Sequence, residues 1–309
     1  MKHNPAAPIG VLLMEYGEPT HVDEVETYLS AHFGGRTPPP EMVDYLRQRF
    51  RAVWQGDSAD PVPPRIANAL ATELAQRTGD NYRVTCAARH WQPDLETGLR
   101  TLVDQGVQAV IVLPLTPHTS QMALRDYQQA LAQAQQRVSV PALRLIEAWA
   151  ELPALNTLWA SYAQAAREQL PTAVQHEAVL ICCVHSVAES TRKPEADYRA
   201  QLEATSAGIA NRAGFAQWRL AFHSAEGPGQ WLGPDVIALL DPLAAEGVRA
   251  VCYLSIGAIY DNVELCYELD VRAVQRGAAL GLLVTRAALP NAAPLLISGL
   301  ADLVDRSAR

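Results

Sequence analysis

Residues 102–115 have the sequence LVDQGVQAVIVLPL, and residues 243–256 have the sequence LAAEGVRAVCYLSI. Each segment ends a helical pattern at a glycine and then passes through V-x-A-V into a short apolar strand. The two glycines, Gly106 and Gly247, lie about half a chain length apart in a sequence of 309 residues. We therefore interpret the sequence as an internal repeat of one α/β unit.

Five further apolar runs alternate with helical segments rich in Ala, Leu, Glu, Gln and Arg. They are IGVLLMEYG (9–17), YRVTCAAR (82–89), VLICCVHS (179–186), WRLAFHSA (218–225) and GLLVTRAAL (281–289). Strands of this kind are apolar on both faces because helices cover both sides of a parallel sheet. The pattern predicts an α/β protein of two lobes, residues 1–150 and 151–309, with the last helix crossing back to the first lobe.

Composition and charge exclude several classes of function. The net charge is −8 and the 25 Lys and Arg residues are scattered, so nucleic acid is not the expected partner. No apolar run approaches the length of a membrane span, and the N-terminus lacks a signal-peptide core, so we expect a cytoplasmic protein. The five cysteines are odd in number and lack C-x-x-C spacing, which favours reduced thiols over disulfides or an iron–sulfur cluster.

Four polar side chains follow separate strands. They are Tyr16, His118, His185 and His223. Ligands of open parallel sheets bind beyond the carboxyl ends of the strands, so these residues are candidates for one shared cleft. The alternative for each histidine is a structural one, in which a backbone carbonyl accepts its hydrogen bond.

An acidic segment, AIYDNVELCYELD (258–270), follows the last strand of the repeat. Helical spacing places Glu264 and Glu268 on one face, next to Asp261 and Asp270. Such a face is either simply solvated or a source of hard oxygen ligands and proton acceptors. Together with His185, it would supply a base and an acid that handles a metal ion. The sequence contains no Walker A, G-x-G-x-x-G, G-x-S-x-G or H-E-x-x-H motif.

Five segments, in order along nearly the whole chain, resemble the ferrochelatase family. GVLLMEYGEP (10–19) is similar to G-x-L-x-M-x-Y-G-T-P, CVHSVAE (183–189) to S-A-H-S-L-P, and EADYRAQ (195–201) to D-P-Y-x-x-Q. HSAEGPGQWLGP (223–234) is similar to Q-S-x-G-x-x-x-W-L-G-P, and DNVELCYELD (261–270) to D-H-x-E-x-L-Y-E-x-D. Because the five matches occur in order, the resemblance is far more specific than any one of them.

The resemblance implies two Rossmann-like lobes with parallel four-stranded sheets, and insertion of ferrous iron into a porphyrin in a cleft between them. His185 and Glu264 are the catalytic pair that it implies. In this hypothesis His185 takes protons from the pyrrole nitrogens, and Glu264 with Glu268 delivers iron or carries protons away. Ferrous iron is a substrate, no prosthetic group or iron–sulfur cluster is expected, and we expect a monomer.

Tyr16 resembles the tyrosine that the coproporphyrin branch of the family places over the metal, so it joins His185, Glu264 and Glu268 as a candidate metal contact. Four residues match positions that anchor propionates in that branch: Arg36, Arg49, Ser58 and Tyr127. Coproporphyrin III carries four propionates and needs such polar anchors. The resemblance thus favours coproporphyrin III as substrate and coprohaem, in haem biosynthesis, as product.

The chain also departs from the family pattern. Phe33 and Gly34 replace an arginine pair, Val187 and Ala188 replace Leu-Pro, Asn262 replaces a histidine, and Arg272 replaces an outer acid of the metal path. Three alternatives therefore stay open. They are a non-catalytic haem carrier that uses Tyr16 and His185 as iron ligands, a chelatase for another metal or tetrapyrrole, and a two-lobed solute-binding module.

Overall fold

The computed structural model describes residues 7–188, 196–225 and 229–309. Within these ranges, no helix is long and apolar enough to cross a membrane. Three of the family-like segments extend beyond them, since Glu189, Glu195 and residues 226–228 lie outside the described part of the chain.

The first sheet is parallel and has four strands in the order β2-β1-β3-β4. The strands are β1 (Ile9–Glu15), β2 (Tyr82–Ala88), β3 (Ala109–Pro114) and β4 (Leu143–Leu145). The apolar runs predict β1, β2 and β3. They do not predict β4, because this strand is three residues long and has the exposed Arg144 at its centre, too short for a periodic signal.

The second sheet repeats this topology, with parallel strands in the order β6-β5-β7-β8. The strands are β5 (Val179–His185), β6 (Gln217–His223), β7 (Ala250–Ser255) and β8 (Leu283–Arg286). All four were expected from the apolar runs. The prediction of an α/β fold with two parallel four-stranded sheets flanked by helices is therefore confirmed.

The helices alternate with the strands along most of the chain. In the first half they are α1 (Val25–His32), α2 (Pro40–Trp54), α3 (Val62–Thr78), α4 (Leu95–Asp104) and α5 (Gln121–Gln135). In the second half they are α6 (Pro153–Glu168), α7 (Thr172–Gln175), α8 (Ala196–Ala213), α9 (Leu240–Ala245), α10 (Val263–Cys266), α11 (Ala273–Leu280) and α12 (Pro294–Ala308). A π-helical turn, Tyr267–Arg272, joins α10 to α11.

The repeated glycines occupy the same place in both sheets. Gly106 follows α4 and precedes β3, and Gly247 follows α9 and precedes β7. Both have a positive φ, 76° and 84°, in the region that glycine adopts at little cost. Each amide donates back into the preceding helix, to Val103 O and Ala244 O, and so ends it. The repeat in the sequence thus corresponds to one helix–glycine–strand unit present twice.

The chain divides into two compact units, each containing one sheet. The first comprises residues 1–116, 123–149 and 291–309, and the second comprises residues 117–122 and 150–290. Relative to lobes of residues 1–150 and 151–309, residues 117–122 and 150 belong to the second unit, and residues 291–309, which contain α12, belong to the first. In the first unit, α12 packs against α3, and Arg77 on α3 donates to Asp302 on α12 at 2.6 Å.

The cysteines lie in apolar surroundings. All five fall within the described residues, and none forms a disulfide. Cys182 and Cys183 are fully buried in β5. Burial raises the pKa of the Cys182 thiol to about 12 and holds the pKa of Cys183 well above its usual range. These two side chains therefore act as protonated, apolar core residues.

Candidate active site

His185 is the last residue of β5, and it is where the strand emerges from the core. The preceding residues of β5 are at most 1% exposed, whereas the His185 side chain is 53% exposed. Its Nδ1 lies 2.6 Å from Ser186 O. A carbonyl oxygen can only accept, so Nδ1 carries the proton and donates it. Nδ1 thus fits the structural alternative, in which a backbone carbonyl accepts the hydrogen bond of the histidine. Nε2 points away from that carbonyl.

Nε2 of His185 faces Glu264, with 3.4 Å between Nε2 and Oε1. Glu264 lies in α10, which begins after the loop that follows β7. Asn262, the residue in place of the family's histidine, caps this helix by accepting a hydrogen bond from Leu265 N at 3.0 Å. The structure therefore brings together the two residues that the resemblance singles out.

Glu264 is ionised in this arrangement. Removal from solvent would raise the pKa of its carboxyl group. A hydrogen bond with His185, the positive charges that His185 and His223 carry when protonated, and a hydrogen bond with the Ser224 side chain act in the opposite direction and hold the pKa well below its usual range. At neutral pH the group is a carboxylate beside an imidazole.

His223 and Ser224 complete this group of side chains, which we call the His185 cluster: His185, His223, Ser224 and Glu264. His223 ends β6 in register with His185, and the two rings meet edge to face at 5.3 Å. His223 Nδ1 lies 3.0 Å from Ser224 Oγ. Ser224 has a φ of 58°, in the left-handed region that a serine rarely adopts. The sequence marks His223 through its place after a strand, but no motif assigns a role to Ser224.

Glu268 has different surroundings. It is 2% exposed, and both of its carboxylate oxygens accept from Arg272 Nη1 at 2.8 Å. The neighbouring acids are also paired, since Arg286 binds Asp270 at 2.6 Å and Asp261 at 3.1 Å. The acidic segment is therefore an ion-pair network, not a simply solvated face. A role for Glu268 in iron delivery stays a prediction.

Tyr16 lies in the first unit, next to the rings of His32 and His90, which no sequence motif links to it. Its hydroxyl group forms a 2.9 Å hydrogen bond with His32 Nε2, and its ring centroid is 4.6 Å from that of His90. The side chain is 53% exposed. Burial, with a smaller effect of Arg89, lowers the pKa of His90 to about 4, so this imidazole is neutral at physiological pH.

The four predicted propionate anchors are also in the first unit, but they differ in exposure. Arg36 is exposed, and its Nε donates to Phe33 O at 3.0 Å. Arg49 is 6% exposed, and its guanidinium lies 5.4 Å from the Tyr45 ring centroid. Arg36 therefore offers a surface cation, whereas Arg49 is part of the interior.

Ser58 and Tyr127 complete the set. Ser58 is exposed and forms an isolated bridge with His21. Tyr127 packs against the core of the first sheet, and its hydroxyl is 3.1 Å from Thr116 Oγ1. Burial raises the pKa of Tyr127, so its hydroxyl is neutral. Both side chains can donate a hydrogen bond to a carboxylate, but their contact with a propionate stays a prediction.

His118, the remaining candidate after a strand, is not part of the His185 cluster. It belongs to the second unit, is 6% exposed and stacks parallel to Trp159 at 6.3 Å. Burial lowers its pKa to about 4. Its position is that of a neutral core histidine.

Comparisons with known proteins point to one family. The sequence profile of the family described as Ferrochelatase matches residues 8–308. The chain is 31% identical to a ferrochelatase of Herpetosiphon aurantiacus, over 97% of this chain and 99% of that one. It is 30% identical to a coproporphyrin III ferrochelatase of Geobacillus kaustophilus, over 96% of this chain and 94% of that one. It is 26% identical to the coproporphyrin III ferrochelatase of Bacillus subtilis, over 96% of each chain.

Among solved structures, the chain is similar in fold to sirohydrochlorin chelatases. The cobalt complex of SirB from Bacillus subtilis subspecies spizizenii has a TM-score of 0.57 at 12% identity, covering 97% of this chain and 95% of that one. SirB from Bacillus subtilis with Fe3+ has a TM-score of 0.55 at 14% identity, with 97% and 96% covered. At these identities the similarity concerns the fold alone.

Proposed function

Since this chain belongs to the ferrochelatase family and is a porphyrin metal chelatase, we propose that it inserts ferrous iron into coproporphyrin III to give coprohaem, a step of haem biosynthesis. The observation that carries the proposal is the 3.4 Å contact between His185 Nε2 and Glu264 Oε1 at the carboxyl end of β5. It joins a proton acceptor and an anionic side chain, the two functions that metallation of a porphyrin requires.

The reaction exchanges one ferrous ion for two protons on pyrrole nitrogens, without a redox change. His185 Nδ1 is committed to Ser186 O. Nε2 is therefore the ring atom that accepts a pyrrole proton. Because the imidazole becomes cationic when it does so, a fixed anion beside Nε2 favours the transfer.

Glu264 supplies that anion. Its depressed pKa makes it a poor final store for protons, but a strong partner for a protonated His185 and for an arriving cation. We therefore assign proton acceptance to His185 and charge stabilisation, with iron delivery, to Glu264. Carboxylate oxygen and imidazole nitrogen are both suitable donors for ferrous iron in transit.

Coproporphyrin III is proposed on two grounds. Relatives of nearly the same length bear that substrate in their names. Arg36, Arg49, Ser58 and Tyr127 would meet propionates, and Tyr16 would stand at the metal. A tetraanionic porphyrin is water-soluble, so we place the reaction in the cytoplasm. We further propose that the enzyme works as a monomer and without a prosthetic group or iron–sulfur cluster.

The decisive experiment mixes the purified protein with ferrous iron and coproporphyrin III without oxygen and follows the absorbance. Conversion of the free-base spectrum to that of coprohaem, with turnover, supports the proposal. Binding of haem without turnover would favour the carrier. A higher kcat/KM with protoporphyrin IX would retain the chelatase activity and reject coproporphyrin III as the porphyrin substrate. A higher kcat/KM with another metal would retain the chelatase activity and reject ferrous iron as the metal substrate.

A further inference from the structure

The hydrogen bonds of the His185 cluster form a chain with a defined direction. Ser224 has a single hydroxyl proton, and the Glu264 carboxylate, which accepts the hydrogen bond from this side chain, cannot donate. The Ser224 hydroxyl therefore donates to Glu264. Since His223 Nδ1 lies 3.0 Å from the same Oγ, Nδ1 must carry a proton and donate it to Ser224. The order is His223 to Ser224 to Glu264.

The backbone is arranged to make this chain. Ser224 directly follows β6 and adopts a φ of 58°, a conformation that costs free energy for any residue with a Cβ. His223 is 4% exposed and held by the register of β6 against β5. A buried ring on a strand, followed by a residue in the left-handed region, fixes where the serine hydroxyl lies.

We propose that His223 is a positioning residue of the metal-insertion reaction, which orients the Ser224 hydroxyl and through it holds the Glu264 carboxylate against His185. The inference rests on the proposed function. It concerns a residue that departs from the family-like motif, which has glutamine at this position. His223 acts through Ser224 and Glu264 and needs no contact with the porphyrin.

The alternative is that His223 fills space between β5 and the loop after β6. The two alternatives differ in which variants rescue activity. The amide nitrogen of asparagine can take the place of imidazole Nδ1, whereas leucine has similar volume but no donor. A positioning role therefore predicts that His223→Asn retains much more activity than His223→Leu.

The test measures iron insertion into coproporphyrin III. We expect His223→Leu to lower kcat about tenfold with little change in KM, because a charge-assisted hydrogen bond to Glu264 is disordered. His223→Asn should recover at least half of that loss on a logarithmic scale. In a Glu264→Gln background, His223→Leu should change kcat by less than about twofold, because residues that act through one group are not additive.

Ser224→Ala provides the second arm, and it keeps the Cβ and hence the backbone strain. It should lower kcat as His223→Leu does, and the double variant should be no worse than either single variant. Ser206→Ala is its matched control. It removes another buried hydroxyl in the same unit, one that donates to Leu202 O, and should leave kcat unchanged. If His223→Leu is unfolded by circular dichroism, Ser224→Ala carries the test.

The outcomes separate this inference from the proposed function. A wild-type protein without metal insertion would reject the proposed function. An active wild type, together with wild-type kcat in His223→Leu and Ser224→Ala, would overturn the positioning role alone. Equal losses in the leucine and asparagine variants, or an undiminished loss in the Glu264→Gln background, would also overturn it.

Discussion

Arg272 donates from Nη1 to both carboxylate oxygens of Glu268, each at 2.8 Å. Glu268 is 2% exposed and the Arg272 side chain is 45% exposed, so the guanidinium covers a buried carboxylate on its solvent side. Glu264, one helical turn earlier, is bound instead by His185 and Ser224. The two acids that helical spacing places on one face therefore have different partners, and they should differ in their contribution to catalysis.

Glu264→Gln and Glu268→Gln compare the two acids directly. We expect Glu264→Gln to lower kcat about 100-fold, because it removes the fixed anion beside His185. Glu268→Gln should lower kcat by less than about tenfold, because its charge is already balanced by Arg272. Both are measured by iron insertion into coproporphyrin III. Small and equal effects would show that the acidic segment has no part in the reaction.

Arg272→Gln tests the ion pair itself. Removing the half-exposed guanidinium from a buried carboxylate should lower the free energy of unfolding by about 1 to 3 kcal/mol, the usual cost of leaving a buried polar group without its partner. Adding Glu268→Gln should recover part of that loss, because no buried charge then remains at this position. Urea unfolding of the single and double variants measures both effects. Full additivity of the two changes would contradict the coupling.

His185→Ala should abolish iron insertion and leave porphyrin binding nearly intact. The variant loses a proton acceptor, whereas the macrocycle keeps its other contacts. Fluorescence titration with coproporphyrin III, beside the turnover assay, separates binding from chemistry. A variant that inserts iron at the wild-type rate would reassign the proton acceptor.

Much of the fold follows from local patterns, because strands apolar on both faces alternate with amphipathic segments. These patterns predict seven of the eight described strands and the end of β5 at His185. They miss β4, whose three residues are too few to show a period. They also miss the π-helical turn at Tyr267–Arg272, since helical spacing in a sequence assumes a regular α-helix.

The site is only partly predictable, for a physical reason. A strand end identifies a candidate such as His185, but its distance to Glu264 is set by the packing of β5, β7 and α10. Here the family resemblance, not periodicity, paired the two residues. The role of Ser224 depends on a left-handed backbone conformation, which a sequence does not indicate when the residue is not glycine. The pairing of Glu268 with Arg272 was not foreseen either, although their i, i+4 spacing permits it.

His118 gives a prediction for stability against pH. Its pKa is lowered to about 4 in the folded protein because it is buried, against about 6.5 for a histidine exposed to solvent. The unfolded chain therefore binds a proton between these values and the folded protein does not, so stability falls as pH decreases from 6.5 to 4. The expected loss from this group is about 3 kcal/mol.

His118→Phe removes that titration and keeps a ring against Trp159. Urea unfolding at pH 7 and at pH 4.5 should show a smaller loss of stability in the variant than in the wild type. His176→Gln is the control, because His176 is exposed and paired with Glu177 on the surface. An identical pH dependence in His118→Phe and wild type would mean that His118 is not buried in its neutral form.

Arg36→Ala tests the choice of porphyrin. If the exposed Arg36 binds a propionate, its loss should weaken coproporphyrin III binding by about 1 to 3 kcal/mol, the usual scale for a charge-assisted hydrogen bond. Arg49→Ala should also weaken binding, but it removes a buried side chain, so Arg36 gives the cleaner result. Arg51→Ala is the control. Arg51 lies on the same helix as Arg49, and its side chain is an exposed cation paired with Asp57.

Protoporphyrin IX has two propionates against four in coproporphyrin III. The wild type should therefore have the higher kcat/KM for coproporphyrin III, and Arg36→Ala should lose part of that preference while Arg51→Ala keeps it. Phe33 and Gly34 stand where the family has two cations, which limits the size of the preference. A wild type that prefers protoporphyrin IX would reject coproporphyrin III as the substrate and leave the metal-insertion chemistry of His185 and Glu264 in place.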